Sequence, residues 1–541
     1  MISFPDSRSG LPTAIVNDKR IHSGYDPKRE AERFVEAQID GCPDTIIVLG
    51  PGLGYLYEAL TEHYPKSRII LIFYSSLFFE RFKKKHALCW HPESDDSLFQ
   101  FLNHHISELD LEGLHILEWP PSAESFPDRS RQANTVISQL VRERNGSIVT
   151  SSAYGKRWIK NALYNFLFCN DYRYLTPGTK PICIVASGPS LNKSLPALKQ
   201  MRDSYQLWSL PSSLAALKSY DIKPDLVVFT DPGFYNRLHF YPFTGDTSLP
   251  VLMPYSASRG LQKEDYPVIL ISQAYIFEDA FVQHLPFSPF SVPANGTVAG
   301  TALEIALRYT NLPIFFAGLD FCYVDIKGHV KPHSFDPIFF SHAGRTNPIL
   351  TQRYARTRSQ LETNTPGSNR DTLFKAPLAH MTYAGWFSNR LSGTERDIYR
   401  LDPSPVPIEG MITIENSELE RTLTEYHTRN KPAQPRSCNS DRISDVPSYE
   451  KRCNIAQHTL TSWRKQIQEC SSAISRSRSI TPLMTAGTVL TLLFYSNIAG
   501  LMEIRRKNRQ EGNSAAFRTA KKAMEETDHF FKNLLDTVGA L

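Results

Sequence analysis

Short apolar runs and helical patterns alternate along the chain in two series, divided and followed by polar stretches. Asp26-Pro27 marks a helix start, since Asp caps the free amides of a first turn and Pro loses no hydrogen bond there. Thr45 to Leu49 (TIIVL) is a β-branched run of the kind that forms a buried strand. It leads directly into Gly50-Pro51-Gly52-Leu53-Gly54-Tyr55, a helical pattern and a second strand at Arg68 to Phe73. Strand, glycine turn, helix and strand predict a βαβ unit and a parallel sheet. A longer series begins near Lys180. Ile182 to Ala186, Gln206 to Leu210, Leu226 to Thr230, Val268 to Ile271 and Ile314 to Ala317 read as short apolar strands with helical patterns or turns between them. This predicts a doubly wound, Rossmann-like α/β domain.

Between Val324 and Pro377 the chain turns polar and irregular, which predicts a long loop over a site. A linker is expected at Arg429 to Val446, around Lys431-Pro432-Ala433-Gln434-Pro435, and helical patterning continues from there to the end. The expected division is an N-terminal α/β domain at 1–149, a central domain at 150–428, and a linker with a helical C-terminal domain at 429–541.

Composition excludes several classes. With 541 residues, 41% hydrophobic and 21% charged, the chain is neither disordered nor collagen-like. A net charge of +5 is too weak to argue for nucleic acid. The charge is uneven: residues 451–541 hold 14 Lys and Arg against 7 Asp and Glu, so the remainder is slightly acidic. A solvated helical face accounts for this excess more readily than an acidic partner does. The uncharged stretch from Ser479 to Met502 is long enough to cross a bilayer, but Thr, Ser, Gly and Asn dilute it, and a buried core helix is expected. Eight scattered cysteines with no C-x-x-C pair point to reduced thiols and no structural metal. The opening MISFPDSRSG lacks the order of a signal peptide, so a cytoplasmic protein is expected.

Four strand ends carry candidate chemistry. Ser187-Gly188-Pro189-Ser190-Leu191 stands where a strand meets a helix, and Ser190 with the following amides would offer donors to a phosphate. Thr230 and Asp231 stand at the carboxyl end of a strand, where open α/β sheets bind ligands. Asn295-Gly296-Thr297 opens a helix from Ala299 to Tyr309. Gly318-Leu319-Asp320-Phe321-Cys322-Tyr323 follows a strand and is trailed by His329, His333 and His342. A histidine near a strand end suits a general base, and Asp320 suits orienting a partner. Taken singly, each also reads as an ordinary cap, turn or surface histidine. The Gly50-Pro51-Gly52-Leu53-Gly54 turn invites a cofactor, yet the next strand ends in Phe73-Tyr74-Ser75-Ser76 with no acid for ribose hydroxyls. A degenerate structural Rossmann-like domain is the expected reading.

Gly-Pro-Ser-Leu, Asp-Pro, Gly-Thr before a helix, and Gly-x-Asp-hydrophobic-x-Tyr with a trailing His, in that order, resemble the motility-associated-factor (Maf) flagellin glycosyltransferases. The central domain of that family is similar to bacterial sialyltransferases that use CMP-sugars. The resemblance extends to Gly50-Pro51-Gly52-Leu53-Gly54-Tyr55, to Trp386-Phe387 and to Ile408-Glu409-Gly410. It implies a nucleotide-sugar pocket at Ser187, Gly188, Pro189, Ser190, Leu191, Thr230, Asp231, Asn295, Gly296, Thr297, Gly318 and Tyr323. It implies catalytic roles for His329, His333 and Asp320. Leu319 replaces the expected Gln, Phe321-Cys322 replaces Leu-Ala, and Trp208 to Ser213 offers hydroxyls where a sialyltransferase presents Asn.

What the resemblance implies is a cytoplasmic enzyme that moves a nonulosonic acid of pseudaminic or legionaminic type from CMP to Ser or Thr of flagellin. His329 or His333 would take the acceptor proton. No cofactor, nucleic acid or membrane is expected. Asp231 is a candidate for a divalent cation, and a homo-oligomer is a candidate assembly. Two rivals remain open: a diphosphotransferase like the archaeal 6-hydroxymethylpterin pyrophosphokinases, and a non-catalytic flagellin-binding assembly factor.

Overall fold

The computed structural model describes residues 2–82, 87–176, 178–261, 266–324, 326–358, 362–366, 373–429 and 442–541. It divides into two compact units, residues 1–156 with 460–536 and residues 157–459 with 537–541.

The first unit is built on four parallel strands, β1 (Thr45–Leu49), β2 (Arg68–Ile72), β3 (Leu88–Trp90) and β4 (Leu114–Glu118), in the order β3-β2-β1-β4. All five residues of β1 are buried, as a central strand covered on both faces requires. The helix predicted at Asp26-Pro27 runs Pro27–Gln38, and the Asp26 carboxylate accepts from the amides of Lys28 and Arg29 at 3.1 Å each.

The glycine turn after β1 is filled by the chain itself. Gly50, Gly52 and Gly54 all have positive φ, and a Cβ added to Gly52 would strike His22 Nε2. One added to Gly54 would lie 2.5 Å from the Phe82 ring, and one on Gly50 would lie 2.6 Å from Ser122 Cβ. His22 Nε2 accepts the Leu53 amide at 2.9 Å, and its ring stacks on Trp119. A pyrophosphate would need the space that His22 and Phe82 occupy, so the turn works as scaffold.

Helices complete this unit. Residues 460–477 of Tyr449–Ser477, the helix Gly487–Gln510 and residues 513–536 of Asn513–Ala540 pack with the N-terminal sheet and with residues 127–156 of the helix Pro127–Phe168. A Cβ on Gly155 would collide with the carbonyl of Tyr495, so these two helices approach too closely for any larger residue. The helix Gly487–Gln510 is long and apolar enough to cross a membrane by length and composition. Here Val489, Leu492, Leu493, Ile498, Leu501 and Ile504 are buried, and Asn497 Nδ2 donates to Glu526 at 2.7 Å. Part of the basic excess is committed within the unit: Arg464 grips Asp528 with two bonds of 3.0 and 3.1 Å, and Arg505 donates to the Leu109 carbonyl at 2.9 Å.

The second unit contains nine parallel strands: β5 (Ile182–Val185), β6 (Gln206–Ser209), β7 (Leu226–Val228), β8 (Val251–Pro254), β9 (Val268–Ser272), β10 (Phe290–Ser291), β11 (Ile314–Ala317), β12 (Ile398–Leu401) and β13 (Ile412–Ile414). Their order is β10-β9-β8-β7-β6-β5-β11-β12-β13. Strand periodicity divides the core in two. Ile182, Ile184, Ile314 and Phe316 enter one apolar cluster, whereas Cys183, Val185, Phe315 and Ala317 enter another on the opposite face. Each such fully buried side chain stabilises the fold by roughly 1.5–3 kcal/mol through area removed from water.

The irregular stretch expected from Val324 to Pro377 is corrected by the structure. It contains the helices Asp336–Ser341 and Ile349–Arg358 and a hairpin of Glu362–Pro366 with Leu373–Pro377. These elements are too short, and too polar on their outer faces, to leave a periodic signal. Ile408-Glu409-Gly410 forms the turn leading into β13. The Lys431-Pro432-Ala433-Gln434-Pro435 segment and Cys438 lie outside the described residues.

His22 is buried and its imidazole is pushed down to about 3 by loss of solvent. Between about pH 6.5 and pH 3 the unfolded chain therefore holds one proton more than the folded one, and stability falls as pH drops through that window. The contribution has a limiting slope of about 1.4 kcal/mol per pH unit. Urea unfolding at pH 7 and pH 5 should show a smaller acid-induced loss in His22→Asn than in the unmodified chain; equal losses would remove His22 from this account.

Candidate functional site

The order of the nine strands reverses at β5: later strands extend from β6 on one side, and β11 begins the other. In a doubly wound sheet the crevice for a ligand lies at such a switch, beyond the carboxyl ends of the strands. Two turns meet there. The Gly188 amide donates to the Gly318 carbonyl at 2.7 Å, just beyond the last rung joining Ala186 to Ala317. A Cβ on Gly188 would stand 2.5 Å from Asp320 Cγ, and one on Gly318, whose φ is +70°, would stand 2.7 Å from the Ala186 carbonyl oxygen. Only glycine lets the two turns approach this closely.

Asp320 locks them together. Its buried carboxylate accepts the Ser190 amide at 2.8 Å, the Ser190 hydroxyl, and the Ser404 hydroxyl at 3.0 Å. Burial pushes the acid upward, while these three donors and the nearby Arg400 guanidinium pull it back. Arg400 lies in the middle of β12, fully buried, and donates to the carbonyls of Val406 and Ser404. The expectation that Ser190 and the following amides meet a phosphate is corrected here. The Ser190 hydroxyl and amide point inward, and the amides of Leu191, Asn192 and Lys193 close on the carbonyls of Gly188, Pro189 and Ser190 at 3.1, 3.4 and 3.0 Å. These short bonds use the donors that would otherwise open the helix α1 (Leu191–Gln200) toward a ligand.

Ser187, one turn earlier, connects to the histidines. Its hydroxyl lies 3.2 Å from His329 Nδ1 and accepts from Ser212 Oγ at 2.7 Å, and its carbonyl accepts the Val330 amide at 2.7 Å. The exposed His329 ring stacks on the buried His333 ring at 4.7 Å with an interplanar angle of 11°. His333 Nδ1 accepts the Phe335 amide at 3.3 Å, which places the proton of the neutral ring on Nε2. Its own amide donates to Asp336, and Asp336 also holds Lys331. His333 is thus built into its loop, whereas His329 is exposed. His342 bonds the end of its own helix through the Ile338 carbonyl at 2.8 Å.

A third imidazole, absent from the sequence reading, completes the group. His239 packs edge-on to His333 at 5.3 Å and against Phe335 at 4.6 Å. Burial, with His329 adding to it, pushes His239 down to about 4, so it is neutral at physiological pH. The aromatic run FYNRLHFYPF around it gave no site signal.

The other candidate residues stand on neighbouring strand ends. Asp231 follows β7, two strands from β5 and so about 10 Å away across the sheet. Its carbonyl accepts the Ser258 amide at 2.7 Å, and burial pushes its carboxyl upward. Half-buried Thr230 precedes it. Among the described residues, no group of three His, Cys, Asp or Glu side chains is placed to hold a metal ion. Asn295, Gly296 and Thr297 open the helix α2 (Val298–Tyr309), which packs on β5 and β7. As a crossover helix between parallel strands it begins at the same sheet edge as the crevice. Asn295 Oδ1 accepts from the Thr297 amide and the Thr301 hydroxyl, both at 3.4 Å, while its Nδ2 is buried with no acceptor among the described residues. The Tyr323 amide donates to the Lys375 carbonyl at 2.8 Å. A separate groove of about 850 Å³ opens at the opposite, amino-terminal edge, lined by Pro313, Arg396, Asp397 and Tyr426 among others, and contains none of these residues.

Removing the Asp320 carboxylate strands three donors inside the protein. Asp320→Ala should cost on the order of 3 kcal/mol or more of unfolding free energy, beyond a single lost hydrogen bond. Urea unfolding checks this, and a loss below about 1 kcal/mol would show that the turns hold without it.

Comparison with known proteins bears on the fold. Residues 156–325 match the family model described as 6-hydroxymethylpterin diphosphokinase MptE-like. Curated relatives include two uncharacterized proteins of Treponema pallidum (strain Nichols). One is 30% identical over 257 residues, covering 47% of this chain and 56% of the relative; another is 24% identical over 376 residues, covering 64% and 61%. The chain thus spans little more than half the length of the first of these. Among solved structures, a Maf glycosyltransferase from Magnetospirillum magneticum AMB-1 superposes with a TM-score of 0.60 over 99% of this chain and 91% of that one, at 11% identity. Residues 156–325 are thus similar to the MptE-like family, and the chain as a whole has the fold of a Maf glycosyltransferase.

Proposed function

We propose that this chain is a cytoplasmic glycosyltransferase that moves a nonulosonic acid, of pseudaminic or legionaminic type, from CMP to Ser or Thr hydroxyls of flagellin. The observation that carries the reading is the solvent-open His329, held by the Ser187 turn at the switch point of a sheet whose fold is that of a glycosyltransferase. The acceptor hydroxyl attacks the anomeric carbon as His329 takes its proton, and the bond to the nucleotide phosphate breaks. The Nδ2 of Asn295, at the start of α2 and without an acceptor among the described residues, supports placing the phosphate there. The donors at Ser190 are engaged by Asp320 and are not assigned to the nucleotide.

The MptE-like match favours a second reading, diphosphate transfer from ATP, for which the same crevice would take a nucleoside triphosphate with a divalent cation. Thermal denaturation separates the two. CMP at a hundred times its dissociation constant should add about 2.7 kcal/mol of apparent stability, and Asn295→Ala should weaken that protection. Protection by ATP with Mg²⁺ and not by CMP would transfer the assignment to the diphosphotransferase, and protection by neither would favour a binding factor. Intact-mass analysis of co-expressed flagellin completes the test: added mass is expected with the unmodified protein and not with His329→Ala, and equal modification by both would remove His329 from the reaction.

A further inference from the structure

Glu278 is a fully buried acid in the helix Ile276–Val282, and its two oxygens serve two different strand ends. Oε1 accepts the Ser256 amide at 2.8 Å, just past β8, and Oε2 accepts the Gln273 amide at 3.0 Å, just past β9. Ser256 is held from its other side as well. Asn161 Nδ2 donates to the Ser256 carbonyl at 3.1 Å and to the Pro232 carbonyl at 3.0 Å, which joins this loop to the turn after β7. Two residues on, the Ser258 amide donates to the Asp231 carbonyl at 2.7 Å. One acid thus sets the loops after β8 and β9, and the β8 loop is tied to the turn that carries Thr230 and Asp231.

Loss of water pushes Glu278 up to about 7, against the pull of its two amides. Asp279, on the same helix, pushes in the same direction as burial. Tyr255 of the β8 loop faces the acid, with the Tyr172 hydroxyl, Cys169 and Arg452 behind it. The helix Pro127–Phe168 presents the neutral amides of Asn161 and Asn165 to these loops, and the β7 turn carries Asp231. With its acid raised in the folded state, the chain loses stability as pH rises from the ordinary glutamate range through about 7. Burying the charge therefore costs more than the two bonds return, yet both bonds need the charged form. Protonation would set an O–H against an N–H, donor facing donor.

We propose that Glu278 is a positioning residue for the nucleotide: its ionised carboxylate holds the loops after β8 and β9, and through them the Thr230–Asp231 turn, in the shape that receives the donor. This rests on the glycosyl-transfer reading, in which Thr230 and Asp231 line the donor crevice. Binding and ionisation are then linked, so affinity falls as this one proton is taken up.

Equilibrium binding of CMP at pH 8 and pH 6 tests this. Glu278→Gln is the reference, because the phosphate of CMP takes up a proton of its own near about pH 6 and glutamine does not titrate. Between the two conditions the unmodified protein should lose roughly 2- to 10-fold more affinity than Glu278→Gln, tenfold being the limit for one linked proton across this range. A further loss below about twofold overturns the proposal, as does a Glu278→Gln protein that binds CMP at pH 8 as tightly as the unmodified one. Hydrogen exchange read by mass spectrometry follows the loops with no ligand and needs only the unmodified protein. Corrected for intrinsic pH dependence, the peptides holding Ser256 and Gln273 should exchange faster at pH 6 than at pH 8, and equal corrected rates overturn the proposal. Failure of the unmodified protein to bind CMP at either pH removes the glycosyl-transfer reading and the proposal with it, whereas CMP binding without the proton linkage overturns the role of Glu278 alone.

Discussion

The buried Asp320 carboxylate is the constraint on which the central unit depends. A parallel sheet that reverses its winding at β5 leaves two strand-end turns side by side with nothing covalent to hold them, and a crevice there has no fixed shape unless they are tied. Asp320 ties them, reaching from the β11 turn to Ser190 at the β5 turn and to Ser404 after β12. Loss of water pushes the acid upward, and three donors and Arg400 offset that push in part. Glycine at 188 and at 318 follows from this attachment, since a side chain on either would force the carboxylate or the opposing carbonyl away.

With that attachment made, the rest of the crevice is assembled by proximity. Ser187 sits one turn from Ser190, and its carbonyl draws in the backbone at Val330, which brings His329 to the sheet edge. His333 and His239 then pack behind it as buried aromatic rings, and burial holds His239 neutral. One exposed imidazole thus stands at the sheet edge over two buried ones.

Much of the architecture was legible in the sequence. β1 and β11 lie where their apolar runs place them, and the other strands read from the sequence differ by one or two residues at their ends. Strands β3, β4, β8, β10, β12 and β13 were not legible. β10 is two residues long, β8 ends in proline, and β12 carries Arg400 inside what would otherwise be an apolar run. The turns that would build the site were visible as motifs, but the direction of their donors was not: Ser190 reads as a phosphate ligand until Asp320 is seen to occupy it. His239 was invisible because its role comes from packing across the fold and not from any local spacing. Asn295 was found as part of a helix start, and only burial reveals that its amide nitrogen lacks an acceptor.

The glycine turn of the first unit shows what such a motif becomes when the chain fills it. His22 and Phe82 stand in the space a dinucleotide would use, and the same glycines that admit a ligand elsewhere here admit an imidazole and a phenyl ring. Conformational freedom at those positions is therefore spent on internal closeness, so a glycine-rich signature of this kind measures how near two surfaces come and is silent on whether the second surface belongs to a guest or to the host.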